Sequence, residues 1–335
     1  MAVDMGKLKS LQHNLQAEIF GQQEAVDIVA KTVTAACVGF CDPRRPLGSF
    51  LFLGPTGVGK SQLGRSLAKA LHGEESSAIV INCTEFKNPH DVAKLVGAPP
   101  SYVGHDHPPF ITPEKLGGGM SVVIFEELEK ADREFPQILL QILERGELRT
   151  GRAVDLNFTR SFIILTSNLG SRVADRELSH PLGFRSDHLD REKEEKKEVL
   201  EKVFMRELER FYSPEFIGRI DTIAVFDPLN PVQLTAILDK FLAQTQERCR
   251  ERGIELEIEE SVKDWLLEKG TNLRYGARPL RRAVYQYLEY PVAQFVTDRW
   301  PGQKSRTLHT LHLSIKNGEV VVEEAKKFWS HAVWQ

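Results

Sequence analysis

Gly54-Pro55-Thr56-Gly57-Val58-Gly59-Lys60-Ser61 follows the apolar run Phe50-Leu51-Phe52-Leu53 and precedes Leu63, Leu67 and Leu71. The octapeptide has the G-x-x-x-x-G-K-[ST] spacing of a Walker A loop. The run before it suits a buried strand, and the leucines after it recur at i, i+4 and i+8, the stripe of a helix. Strand, glycine-rich turn and helix N-terminus together aim backbone N–H groups at an anion. Lys60 is expected to reach the β/γ-phosphates of a nucleotide, and the Ser61 hydroxyl to ligand Mg²⁺. A glycine-rich turn that holds nothing is the alternative, and the flanks on both sides weigh against it.

Working outward, four further apolar runs appear: Ala78–Ile81, Val122–Phe125, Phe162–Leu165 and Thr222–Phe226. Continuous apolarity marks strands covered on both faces. Phe135, Ile138, Leu139, Ile142 and Leu143 form a helical stripe between two of them. The expected fold is α/β, a five-stranded parallel sheet with helices on both faces. Upstream, residues 1–18 and a stretch ending near Val38 are expected to be helical, with Ile19-Phe20-Gly21-Gln22 as a turn between them. Residues 187–210 are dense in charge, with Val199, Val203, Phe204 and Leu208 as an apolar side, and suit a surface helix.

After Asp227-Pro228 the pattern changes. Leu234, Ile237, Leu238, Phe241 and Leu242 give an amphipathic helix, Val262, Trp265 and Leu266 another, and 278–298 a third, broken or kinked at Pro291. Leu311, Leu313 and Ile315 alternate, Asn317-Gly318 supplies a type I′ turn, and Val320 and Val322 alternate back, the pattern of a hairpin. The expected organisation is a nucleotide-binding subdomain over 1–227, a smaller, mainly helical lid over 228–323 with a β element, and a tail over 324–335.

The chain has 335 residues, a net charge of −3, 41% hydrophobic and 27% charged residues. These suit a soluble globular protein of about two domains. The mild negative charge argues against nucleic-acid binding by bulk charge. No apolar run approaches a membrane span and no signal-peptide core opens the chain, so a cytoplasmic protein without a membrane partner is expected. The four cysteines are scattered and are expected to be reduced structural thiols.

Val122–Phe125 leads directly into Glu126-Glu127. A strand that ends in two acids after a Walker A loop suits Walker B: the first acid steers Mg²⁺ and the second accepts a proton from the attacking water. Acids that merely favour a helix N-terminus are the alternative. Glu126 stands where Asp is usual, and its extra methylene is expected to weaken Mg²⁺ binding or slow hydrolysis. Phe162–Leu165 leads into Thr166-Ser167-Asn168, whose amide can orient the lytic water.

These motifs, with Pro214-Glu215-Phe216-Ile217-Gly218-Arg219-Ile220-Asp221 and Tyr275-Gly276-Ala277-Arg278-Pro279-Leu280-Arg281-Arg282 in that order, resemble the second ATPase module of the Clp/Hsp100 unfoldases, a branch of the AAA+ superfamily. The resemblance covers the chain from about Leu8 to about Val322. It implies an ATP hydrolase with ATP and Mg²⁺ as cofactors. It implies that Ile19 and Phe20 pack on adenine, although as residues they suit a core equally well. Asn168 matches sensor 1 and Arg278 sensor 2. Arg219 matches the arginine finger that a neighbouring subunit offers to the γ-phosphate; a surface arginine paired with Glu215 or Asp221 is the alternative. Gly218 replaces the Asn usual before this Arg.

Tyr102 and Val103, within Gly97–Gly104, match the pore loop that grips a polypeptide; a buried Tyr beside a turn is the alternative. Leu182-Gly183-Phe184 suits the tripeptide with which some relatives dock on a ClpP-like peptidase. The resemblance thus implies a homo-oligomeric ring, expected to be a hexamer, that threads unfolded or aggregated protein through a central pore. Rival expectations are a remodeller dedicated to one protein complex and, less favoured by the charge, a nucleic-acid motor or loader. The other modules of the longer relatives are missing, which suits either an excised module or a single-ring protein.

Overall fold

The computed structural model describes residues 5–91, 94–95, 97, 109–151, 154–179, 189–272, 275–300 and 309–325. The chain divides into two compact units at Asp227/Pro228.

In the first unit the strands are β1 (Gly48–Leu53), β2 (Ile79–Asn82), β3 (Ser121–Glu126), β4 (Glu147–Arg149), β5 (Asp155–Asn157), β6 (Ser161–Ser167) and β7 (Thr222–Val225). Its helices are α1 (Met5–Glu18), α2 (Gln23–Cys37), α3 (Lys60–His72), α4 (Pro113–Leu116), α5 (Phe135–Arg145), α6 (Ser171–Ser179), α7 (Leu189–Phe211) and α8 (Pro214–Gly218). The five expected strands form one sheet in the order β2-β3-β6-β1-β7, with every pair parallel. The antiparallel ribbon β4-β5 was not expected from the sequence.

Alternation within the runs sends side chains to two covered faces. Ile124 and Ile164 face α3: a Cβ on Gly64 would stand 2.7 Å from Ile124 Cδ1 and 3.0 Å from Ile164 Cδ1. Gly64 therefore lets α3 lie close against the sheet. Leu51, Leu53, Val123, Phe125, Ile163 and Leu165 point the other way, into a cluster with Phe135, Leu139, Ile142 and Leu143 of α5 and Leu200, Val203, Phe204 and Leu208 of α7. Each such side chain gains about 1.5–3 kcal/mol by leaving water. The charge-dense stretch is thus a helix with a solvated face and an apolar side that closes the core. The four cysteines are free thiols. Because α2 ends at Cys37, Cys41 lies beyond that helix.

The second unit contains α9 (Pro231–Arg250), α10 (Glu260–Gly270), α11 (Arg278–Val284) and α12 (Tyr290–Arg299), with β8 (Ile254–Ile258), β9 (His309–Lys316) and β10 (Glu319–Glu324). Asn230 and Gln233 cap α9 reciprocally. The backbone widens into a π turn over Tyr285–Glu289, just before Pro291 stands in the first turn of α12. Proline supplies no N–H to the preceding turn, so the change of winding falls there. The β9-β10 hairpin turns at Asn317 (φ +53°) and Gly318 (φ +79°), as a type I′ turn requires. Beside it runs β8, parallel to β9.

Candidate nucleotide-binding site

The loop after β1 owes its path to glycine. Gly54 has φ +148°, and a Cβ there would stand 2.7 Å from Phe226 O. That carbonyl belongs to the residue whose N–H donates to Leu53 O at 2.7 Å, so the backbones at the ends of β1 and β7 leave no room for a side chain. Gly57 (φ +79°) and Gly59 (φ +110°) complete the turn into α3. Ile19 is buried beside it, with Cγ2 3.7 Å from where a Gly59 Cβ would lie, and Phe20 is half-buried.

Gln22, buried at 4% exposure, is a residue that the sequence reading missed. Its Nε2 donates to Asp227 O at 3.0 Å, and its Oε1 accepts from Asp227 N at 3.0 Å. The same Nε2 lies 3.5 Å from Val58 O, at the outer limit of a hydrogen bond. One amide therefore joins the phosphate loop to the end of the first unit. Burial pushes the Asp227 carboxyl up, against the opposing charge of Lys197.

Lys60 begins α3 with its ammonium turned back on the loop. Nζ donates to Gly54 O and Pro55 O, each at 2.6 Å, and to Asn168 Oδ1 at 2.9 Å. Asn168, just past β6, also accepts from Thr56 Oγ1 at 3.3 Å, and its Nδ2 donates to Glu129 Oε1 at 3.2 Å. Two residues far apart in sequence thus meet where the reading of both motifs needs them. Glu129 was not singled out in the sequence.

The two acids after β3 differ in their surroundings. Glu126 Oε1 accepts from Arg65 Nη2, one turn into α3, at 2.9 Å. Glu127 takes the left-handed conformation, φ 57° and ψ 51°, and its N–H donates to Thr166 Oγ1 at 3.3 Å. Left-handed backbone at a non-glycine residue is strained and collects at functional positions. Among the described residues, the Glu127 carboxylate makes no hydrogen bond or ion pair. Burial raises the Cys83 thiol far above its usual range, with Glu129, Glu126 and Glu127 adding to the effect, so all three acids act on one buried point.

The donor set fits Mg²⁺ bound together with phosphate. Ser61 follows Lys60 in the first turn of α3, and Glu126 offers a hard oxygen and is tied to the same helix through Arg65, which holds one of its oxygens. A cation that keeps several waters and takes phosphate oxygens needs few protein ligands.

Arg219 closes α8 and pairs with Glu144 of α5 at 2.6 Å, rather than with Glu215 or Asp221. Asp221 instead pairs with Arg45 at 3.0 Å and accepts from Ser49 N and Oγ. Gly218 has no atom within 4 Å of a built Cβ, so its lack of a side chain meets no local constraint. In the second unit, Arg278 is exposed at the start of α11. Tyr102, Val103, Leu182, Gly183 and Phe184 lie outside the described residues.

A Walker A loop at the end of β1, with an asparagine at the end of the adjacent β6 and two acids at the end of β3 beyond it, defines a P-loop ATPase domain. The family model described as AAA domain (Cdc48 subfamily) matches residues 45–223, and that of the C-terminal, D2-small domain of ClpB protein matches 229–304. The chain belongs to the AAA family, in its Clp/Hsp100 branch, and corresponds to the second ATPase module. It is 40% identical over 290 residues to the chaperone protein ClpB of Aquifex aeolicus, covering 87% of this chain and 28% of that protein. It is 38% identical over 321 residues to the negative regulator of genetic competence ClpC/MecB of Bacillus subtilis, covering 96% and 38%. It is 37% identical to an ATP-dependent Clp protease ATP-binding subunit ClpC of Staphylococcus aureus, covering 87% and 35%. A cryo-EM reconstruction of closed-state Hsp104 with ATPyS and FITC casein superposes with a TM-score of 0.78 at 27% identity, covering 95% of this chain and 52% of that one. The chain thus spans well under half the length of these curated relatives. Among the described residues, no helix is long and apolar enough to cross a membrane.

Proposed function

We propose that this chain hydrolyses Mg²⁺-ATP as one subunit of a ring and uses the cycle to pull polypeptide through a central pore. The observation that carries the chemistry is the meeting of Lys60, Thr56 and Asn168 on one amide oxygen, with the unpaired Glu127 at the neighbouring strand end. The turn from Gly54 to Gly59 presents N–H groups to phosphate oxygens, and Lys60 exchanges loop carbonyls for them. Glu127 accepts the proton of the attacking water, while Asn168 holds that water in line. Bound Mg²⁺ neutralises phosphate charge, and Ser61 and Glu126 are the residues to hold it. Ile19 and Phe20 flank adenine. Arg278 reads the phosphates from the second unit, and Arg219 serves the site of the next subunit.

Replacing Glu127 by Gln tests the assignment. ATP binding is expected to persist, while turnover falls by about 10²–10⁴, the range for a positioned general base. Brisk hydrolysis by that variant removes Glu127 from the role.

The motor reading rests on the relatives and on Tyr102 and Val103. The reconstruction named for Hsp104 with ATPyS and FITC casein supports a nucleotide-linked action on polypeptide, and we infer a hexameric ring as its setting. The Staphylococcus relative is named as the ATP-binding subunit of a protease, which supports delivery to a ClpP-like peptidase through Leu182, Gly183 and Phe184. We place the protein in the cytoplasm with unfolded or aggregated protein as substrate.

A further inference from the structure

Glu129 has no part in the reading above, yet it holds one end of the asparagine on which that reading turns. Its Oε1 accepts from Asn168 Nδ2 at 3.2 Å, while Asn168 Oδ1 accepts from Lys60 Nζ at 2.9 Å. An amide has one donor end and one acceptor end. An ammonium only donates and an ionised carboxylate only accepts. Turning the amide over would set N–H against ammonium and carbonyl against carboxylate. Thr56 does not decide the matter, because a hydroxyl can serve either end.

We propose that Glu129 is a positioning residue that sets which end of Asn168 faces the nucleotide, and through Asn168 the seat of Lys60. The proposal rests on the reading of Lys60 and Asn168 as nucleotide-facing groups. Its consequence is greatest when phosphate draws Lys60 away. The Glu129 bond is then the one ionic constraint left on the amide, and it keeps Oδ1 toward the pocket.

The local fold gives Glu129 the rigidity this needs. Leu128 is 1% exposed, and Lys130 N donates to Glu127 O at 2.9 Å, so Glu127 and Glu129 leave the same tight turn. The second Glu129 oxygen, Oε2, is buried and makes no hydrogen bond among the described residues, and the same is true of the Tyr212 hydroxyl. Burial, then the charges of Glu129 and Cys83, push that phenol far above its usual range. The carboxylate thus has one oxygen buried and the other on Asn168.

A double-mutant cycle on the full chain tests this. Glu129→Leu and Glu129→Gln are each made with Asn168 and with Asn168→Ala. Turnover, affinity for a fluorescent ATP analogue and thermal midpoint are measured for all, with Lys60→Ala as a binding control. Glu129→Leu is expected to lower kcat about tenfold, the scale of one lost hydrogen bond to a charged group. Glu129→Gln, which offers a donor as well as an acceptor and so tolerates both amide orientations, is expected to lie between it and the parent. With Asn168→Ala, neither change should lower kcat further, because residues that act through one another are not additive. Equal losses in both backgrounds would assign Glu129 to general stability and overturn the proposal. If Glu129→Leu does not fold, the Gln variant decides by the same criterion. If Lys60→Ala abolishes analogue binding and both Glu129 variants are silent, this proposal alone fails. If the parent chain binds no analogue, the nucleotide reading falls with it.

Discussion

The two sheets of this molecule handle charge in different ways. In the first unit the central strands β1, β3 and β6 are buried on both faces, and charged and amide side chains gather past their ends, where Lys60, Glu126, Glu127 and Asn168 stand. In the second unit the hairpin carries the exposed pair Lys316–Glu323 on its strands, and a more buried ionic cluster joins the helices. There Glu289 accepts from Thr245 at 2.7 Å and Arg281 at 2.8 Å, and also from Arg248. All its partners are internal and every bond closes on the same carboxylate oxygen. The first arrangement leaves a strained acid with no partner for its carboxylate among the described residues; the second closes three donors on one oxygen. The contrast is between charges that stay open where covered strands end and charges that close on one another where they brace helices.

This division can be broken by three substitutions. The largest effect is expected from Arg219→Ala. Turnover should fall by about 10³–10⁵, the range for an arginine finger, while the thermal midpoint stays near that of the parent. A variant with unaltered turnover would sink the shared-site reading and leave Arg219 as the surface partner of Glu144.

A smaller change is expected from Arg65→Ala, which frees Glu126. The Mg²⁺ concentration for half-maximal nucleotide affinity should drop by up to about fivefold, the equivalent of a half-exposed ion pair worth about 1 kcal/mol. An unchanged Mg²⁺ titration would show that the pair does not compete with the cation.

The smallest effect on turnover, and the clearest on stability, is expected from Glu289→Gln. Burial pushes this carboxyl up, but Thr245, Arg281 and Arg248 together hold it below its usual value. A depressed carboxyl contributes stability above its unfolded pKa and loses it as pH falls through the folded value. Glu289→Gln should therefore cost about 1–3 kcal/mol near neutral pH, with the gap to the parent closing below about pH 4. Melting curves across pH check this. A loss of turnover with an intact midpoint would erase the contrast between the two units.

Much of this was legible because it is local. The phosphate loop is eight consecutive residues, the buried strands are unbroken apolar runs, and Asn317-Gly318 names its own turn. What escaped depends on partners distant along the chain. Gln22 bonds to Asp227 across 205 positions and Glu129 to Asn168 across 39, and neither pairing has a local signature. The Arg65–Glu126 pair was hidden because α3 and β3 meet only in the folded sheet. The left-handed Glu127 escaped because no glycine or asparagine announces it. Ile254, Leu256 and Ile258 do alternate, but the strand is short, and its parallel partner begins at His309.

Gln22 has one further meaning. Its carboxamide grips both backbone atoms of Asp227, the last residue before the second unit begins, while leaning on the carbonyl of Val58. A side chain at this position that could not both donate and accept would leave Asp227 O and Asp227 N each short of a partner.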